Sequence, residues 1–151
     1  MAWTFFGLIM GLIALRLMVM AVSPRAIRVR PVNGKLQTCP MRKTCVSSQA
    51  EEQMQKVEPI YYNGPIEEAK VRLRMAVDRL PGTTVLADDK VYLHAEFESL
   101  VFGFMSDMEF LVDDNRKIIH VRSASRVGYS DMGANRRRVE AVRRLFKTMA
   151  A

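Results

Sequence analysis

The densest run of reactive side chains lies in VRSASRVGYSDMGANRRRVEAVRRLF, from Val121 to Phe146. Arg122, Ser123, Ser125, Arg126, Tyr129, Ser130, Asp131, Asn135 and Arg136 crowd a stretch that opens like a strand and ends like a basic helix. Hydroxyls, an acid and cations are the parts of either a nucleophilic centre or an anion site. A serine nucleophile needs a base within hydrogen-bond reach. No His lies in the stretch, and G-x-S-x-G is absent, so no catalytic residue is assigned. An anion site fits better, because a helix start offers free N–H groups and Arg136 adds charge there. These residues form the candidate ligand-binding set.

Each also has a structural use. Ser123 and Ser125 continue the register of Ile119 and Val121 and can bond backbone where the strand ends. Gly128 and Gly133 permit the turns of a tight strand-to-helix passage. Asp131 or Asn135 can cap the helix. Arg126 and Asp131 can pair across the turn, and Tyr129 can bury its ring.

Alternating sequence places His94, Glu96, Asp107, Glu109, His120 and Arg122 on one face of a sheet. Carboxylates beside His and Arg suit acid–base work or metal binding. A solvated face with cross-strand ion pairs uses the same residues without chemistry and is preferred. Neither a metal nor a cofactor is expected. The two cysteines, Cys39 and Cys45 in CPMRKTC, leave a disulfide and two free thiols both open; with no His nearby they do not make a tetrahedral metal site.

The elements that must position these residues are legible downstream of residue 60. In NGPIEEAKVRLRMAVDRLPG, Ile66, Ala69, Leu73, Val77 and Leu80 recur at helical spacing. Pro65 and two glutamates open that helix, and Pro81-Gly82 stops it. From Thr83 the period falls to two: TTVLADD, KVYLHAEFESL, FGFMSDMEFLVDD and IIHVRSASR read as consecutive strands. Val139, Val142, Phe146 and Met149 then mark a second helix, with Arg136, Arg137, Arg138, Arg143, Arg144 and Lys147 outside. The expected fold class is α+β: a four-stranded antiparallel meander with two helices on one face. The chain divides into residues 1–23, a linker over 24–60 carrying the Cys-x5-Cys segment, and the α+β domain over 61–151.

TFFGLIMGLIALRLMVMAV, Thr4 to Val22, spans about 28 Å as a helix, close to the ~30 Å hydrocarbon core. Arg16 costs roughly 3 kcal/mol at mid-membrane, which the apolar residues around it offset. The expectation is one N-terminal transmembrane helix, with the lipid bilayer as partner through residues 4–22. A cleaved signal peptide fits less well, since no Lys or Arg precedes the apolar run. Gly7 and Gly11 form a GxxxG compatible with self-association.

The net charge of +7 is uneven. Residues 1–35 hold five basic side chains and no acid, while residues 61–134 hold nine basic and twelve acidic. A folded body that is mildly acidic excludes a general nucleic-acid binder. The basic residues after the apolar segment place the domain in the cytoplasm by the positive-inside rule.

CPMRKTCVSSQA, MEFLVDD and VRSASRVGYSDMGANRRRVEAVR together resemble the domain-of-unknown-function family numbered 1499, over about residues 36–147. The matching positions include Cys39, Cys45, Ser47, Ser48, Asp107, Glu109, Arg122, Ser123, Ser125, Arg126, Gly128, Tyr129, Ser130, Asp131, Gly133, Asn135 and Arg138. Met132 and Ala134 stand where the family pattern has Leu and Val. The resemblance implies a small bacterial or organellar domain, often behind a signal or membrane segment, with no established reaction and no cofactor. It tilts the location of this single-pass protein to the periplasmic or lumenal side, against the charge rule. The expected function is a membrane-anchored, non-enzymatic interaction or assembly module of a membrane complex. The alternative is an enzyme or a sensor of small anionic ligands, using the Arg126–Asn135 junction and the acidic sheet face.

Overall fold

A computed structural model of the chain describes residues 2–22, 30–99 and 102–149. Its elements run α1 (Ala2–Val22), β1 (Cys45–Ser47), β2 (Ile60–Tyr61), α2 (Ile66–Asp78), β3 (Thr83–Asp88), β4 (Tyr92–Glu98), β5 (Met105–Asp113), β6 (Ile118–Ser125) and α3 (Ala134–Thr148). All strands join one antiparallel sheet in the order β1-β6-β5-β4-β3, with β2 also on β6.

The four expected strands are present, but the sheet has six. Of the two additional strands, β1 comes from residues read as linker and β2 straddles the expected boundary between linker and domain. Cys45↔Ala124 and Ile60↔Ile119 are registered pairs, so both short strands extend the free edge of β6. Strands this short show no periodicity of their own; they exist because β6 offers unpaired backbone groups beside them.

α2 starts behind Pro65, whose extended backbone (φ −67°, ψ 148°) leads into a first turn carrying Glu67 and Glu68. These carboxylates favour the positive end of the helix dipole. At its far end Gly82 is required. Its φ is +76°, and a Cβ there would lie 2.4 Å from the Glu98 carbonyl oxygen. α2 and α3 cover one face of the sheet. Leu93, Phe110 and Val121 align across β4, β5 and β6 and pack with Leu73 and Val77 of α2 and Val139, Val142 and Phe146 of α3.

The second face is not solvated, as the alternation had suggested. Tyr92, His94, Glu109 and Arg122 are all buried there. Leu36, far upstream, packs on Tyr92 and Leu111, and Gln49 Oε1 accepts the Leu36 N–H at 2.8 Å. The segment before β1 therefore lies over this face.

The transmembrane expectation is corrected. Among the described residues no helix is long and apolar enough to cross a membrane, and the single-pass localisation falls with it. Arg16 interrupts the apolar run of α1 and pairs with Glu98, at the end of β4, at 2.6 Å. The helix is thereby tied, about two-thirds of the way along, to the folded body. A spanning placement would carry Glu98 toward hydrocarbon. Arg25 and Arg28 of the expected basic flank, and Leu100 at the end of the second expected strand, lie outside the described residues.

Candidate functional site

Apart from Ser130 and Arg136, the candidate residues separate into three groups. Ser123, Ser125, Asp131 and Asn135 converge beneath the corner between β6 and α3. Arg122 and Arg126 point to the opposite face of the sheet. Tyr129 points outward.

Asn135 is the centre of the first group and is 0% exposed. Its Oδ1 accepts from Ser123 Oγ at 2.6 Å and from Arg138 Nη1 at 2.8 Å. Its Nδ2 donates to the Thr44 carbonyl at 2.9 Å, to Ser125 Oγ at 2.9 Å and to Asp131 Oδ2 at 2.6 Å. Every polar atom of the amide is thus used. Asp131 in turn accepts the Gly133 N–H at 2.9 Å and the Asn135 N–H at 3.0 Å, so it satisfies the free donors of the first turn of α3. Gly133, at φ +78°, makes the bend between them. The Thr44 contact links the corner to β1, one residue beyond.

Arg136, expected to greet an anion, donates instead to the carbonyls of Lys56 at 2.9 Å and Met54 at 2.8 Å. It holds the segment before β2 against α3. Ser130 lies on an isolated bridge to Lys43 and accepts from the Met132 N–H at 3.4 Å. The disulfide joins Cys39 to Cys45, with Cα atoms 5.6 Å apart, and fixes the chain leading into β1.

On the second face, Arg122 Nη1 donates to Glu109 Oε2 at 2.8 Å, and Tyr92 Oη donates to Glu109 Oε1 at 2.9 Å. Arg126 grips both oxygens of Asp107, at 2.9 and 2.8 Å, and reaches Glu96 at 2.9 Å. His94 Nε2 meets Asp107 Oδ1 at 3.0 Å. Burial pushes the Asp107 carboxyl up, but the hydrogen bonds from Arg126 and His94 outweigh it and hold the group at about 2. The Arg126 guanidinium is held above its ordinary value, chiefly by the Asp107 hydrogen bond. Burial by itself pushes the Tyr92 phenol up, and Glu109 adds to the shift. Arg126 therefore pairs with Asp107 and Glu96, not with Asp131 as the sequence suggested.

His120 stands apart, with Nδ1 3.2 Å from Ser48 Oγ, and burial lowers its pKa. Among the described residues no group of three or more His, Cys, Asp or Glu is placed to hold a metal ion. A largely buried ion-pair ladder of this kind, in which Arg122 Nε is left without a partner, orders a sheet face.

Three exposed or half-exposed features escaped the sequence reading. Tyr129 is 76% exposed, so its ring is not buried, and its neighbour Met132 is 88% exposed at a left-handed φ of +50°. Met41 and Met54, from the segments around the disulfide and before β2, join Tyr129 in lining one depression of about 370 Å3, with Arg42, Lys43 and Arg136. Arg138, read as an outer-face charge, turns inward; its guanidinium lies 3.7 Å from the centre of the Phe97 ring. The i, i+3 spacing of Asn135 and Arg138 was the available signal, since such residues share a helix face.

No curated protein matches the chain. Residues 35–146 match the family model described as Protein of unknown function (DUF1499). That span runs from just before the Cys39–Cys45 loop to the last buried residue of α3, so it contains the whole sheet, α2 and all but the last two residues of α3: the chain belongs to the DUF1499 family.

Proposed function

We propose that this domain is a non-enzymatic interaction module that docks an acidic protein segment bearing apolar anchor residues. The observation that carries the reading is the division of labour at the β6–α3 corner. Ser123, Ser125, Asp131 and Asn135 bond to one another and to backbone inside it. Met41, Met54, Tyr129 and Met132 face out around it.

Methionine adapts its shape to a partner, and Tyr is enriched among residues that dominate binding energy. Left-handed backbone at a non-glycine residue costs roughly 1 kcal/mol or more and persists where surrounding structure enforces it. Here it holds the Met132 side chain outward. Arg42, Lys43 and Arg136 surround the depression against two acids, Glu52 and Asp131, and Asp131 is already bonded to the start of α3; the excess of cations favours a partner of opposite sign. The disulfide supports an exported, oxidising location, where such bonds persist.

The test is site-specific photo-cross-linking in the native cell. A photoreactive residue replaces Met132 in one strain and Val71, exposed on α2, in another. The expected result is a discrete higher-mass adduct from position 132 and none from 71. Equal labelling at both positions, or none at 132, contradicts the reading.

A further inference from the structure

A second cavity lies on the other side of the same corner, between the ends of β4, β5 and β6 and the start of α3. Its volume is about 380 Å3, within the ~300–1,000 Å3 range of small-molecule sites. Phe97, Phe104, Val127 and Ala134 give it apolar walls, and Ser106 and Ser125 give hydroxyls. Arg138 is the one cation among its described lining residues.

The state of Arg138 is unusual. Nη1 donates to Asn135 Oδ1 at 2.8 Å and, weakly, to Ser123 Oγ at 3.5 Å. Among the described residues no carboxylate lies within ion-pair distance of it. A guanidinium has five N–H donors in a fixed fork, so the bonds to Asn135 and Ser123 leave donors over. Burial lowers its pKa to about 10, with Asp131 acting against the shift and Arg137 adding to it. Its stacking on Phe97 fixes the plane of the fork. Asp131 also borders the cavity, but both its oxygens accept from the first turn of α3.

We propose that this cavity binds a small amphipathic monoanion, a carboxylate on an alkyl or aryl body. The carboxylate would take the free edge of Arg138, and the body would lie between Phe97, Phe104 and Val127. A single cation matches one negative charge, and the apolar walls disfavour a bare, strongly hydrated dianion. The site differs from the anion site expected at Arg136, whose donors are bound to carbonyls.

The test titrates the full chain with octanoate and phenylacetate, with octanamide and phenylacetamide as uncharged matches, and with inorganic phosphate. Backbone amide NMR shifts report binding. Saturable shifts are expected at Phe104, Ser125 and Val127 for the carboxylates. The amides should bind about tenfold or more weakly, because a charge-assisted hydrogen bond is lost. Arg138→Gln should weaken the carboxylates by a similar factor and leave the amides unchanged. Should Arg138→Gln fail to fold, Phe104→Ala at the half-exposed rim replaces it, with a several-fold loss expected for both acid and amide. Three results overturn the proposal: no shift with either carboxylate at about 10 mM, amides binding as tightly as acids, or phosphate binding more tightly than both carboxylates.

Discussion

Replacing Asn135 by Leu, which is close in shape, removes the node of the β6–α3 corner. Five side-chain hydrogen bonds disappear. Two of them involve a charged partner, Asp131 and Arg138, and are worth roughly 1.5–3 kcal/mol each; the others contribute about 1 kcal/mol. Some partners retain a second bond: Thr44 O still accepts the Ser125 N–H at 2.8 Å, and Asp131 keeps two backbone donors. The Ser123 hydroxyl proton, fully buried, loses its only acceptor. The apolar side chain returns roughly 1–2 kcal/mol of transfer free energy. The expected net loss is about 3–4 kcal/mol. Urea unfolding followed by circular dichroism measures it, as a lower midpoint with an unchanged slope. Asn135→Asp keeps the outline but replaces the donor facing Asp131 with an oxygen, and should lose stability more steeply above the carboxylate range than below it. A loss under about 1 kcal/mol for Asn135→Leu would refute the account of the corner as a fastener.

Gly82→Ala should cost about 2–4 kcal/mol, because its Cβ meets the Glu98 carbonyl and its φ is positive; an unchanged thermal midpoint contradicts this. Cys39→Ser should cost roughly 2 kcal/mol from the opened loop, and a reductant should lower the midpoint of the wild type but not of the variant. Asp107 is held at about 2 against an ordinary 3.8. Its contribution, roughly 1–2 kcal/mol after discounting for partial exposure, is therefore present above pH ~4 and lost as pH falls toward ~2. The stability gap between wild type and Asp107→Asn should close over that window, and a gap independent of pH would contradict the pairing. Tyr129→Ala and Met132→Ser should each change stability by no more than about 0.5 kcal/mol, and Tyr129→Ala should abolish the adduct formed from position 132.

Local signals were readable from the sequence, and long-range ones were not. Pro65 and Pro81-Gly82 bracket α2 because start and stop chemistry acts within a few residues. The alternation of β4 to β6 separated the two faces correctly: Leu93, Phe110 and Val121 on one, His94, Glu109 and Arg122 on the other. Alternation does not tell whether the polar face is covered; the cover comes from Leu36, more than fifty residues away from Tyr92 in the chain. β1 and β2 were illegible for a related reason. Three- and two-residue strands have no period, and their partners lie on β6.

At the site, residue type announced the cap, and Asp131 fills it. The pairing of Arg126 could not be read, because Asp107 and Glu96 come from two other strands and compete with nearby Asp131. Arg138 was hidden by its company: in a run of arginines it looked like solvated charge, and the Phe97 ring that receives it belongs to β4.

The central claim is that Asn135 and the Ser123, Ser125 and Asp131 side chains around it bond to one another and to backbone, and so fasten β6 to α3. The most direct test is the hydrogen exchange of the Asn135 side-chain amide, read by NMR. The account predicts two resolved Nδ2 protons with contacts to Thr44 and Ser125, exchanging with solvent orders of magnitude more slowly than a free amide. Exchange at the rate of an exposed asparagine would contradict it.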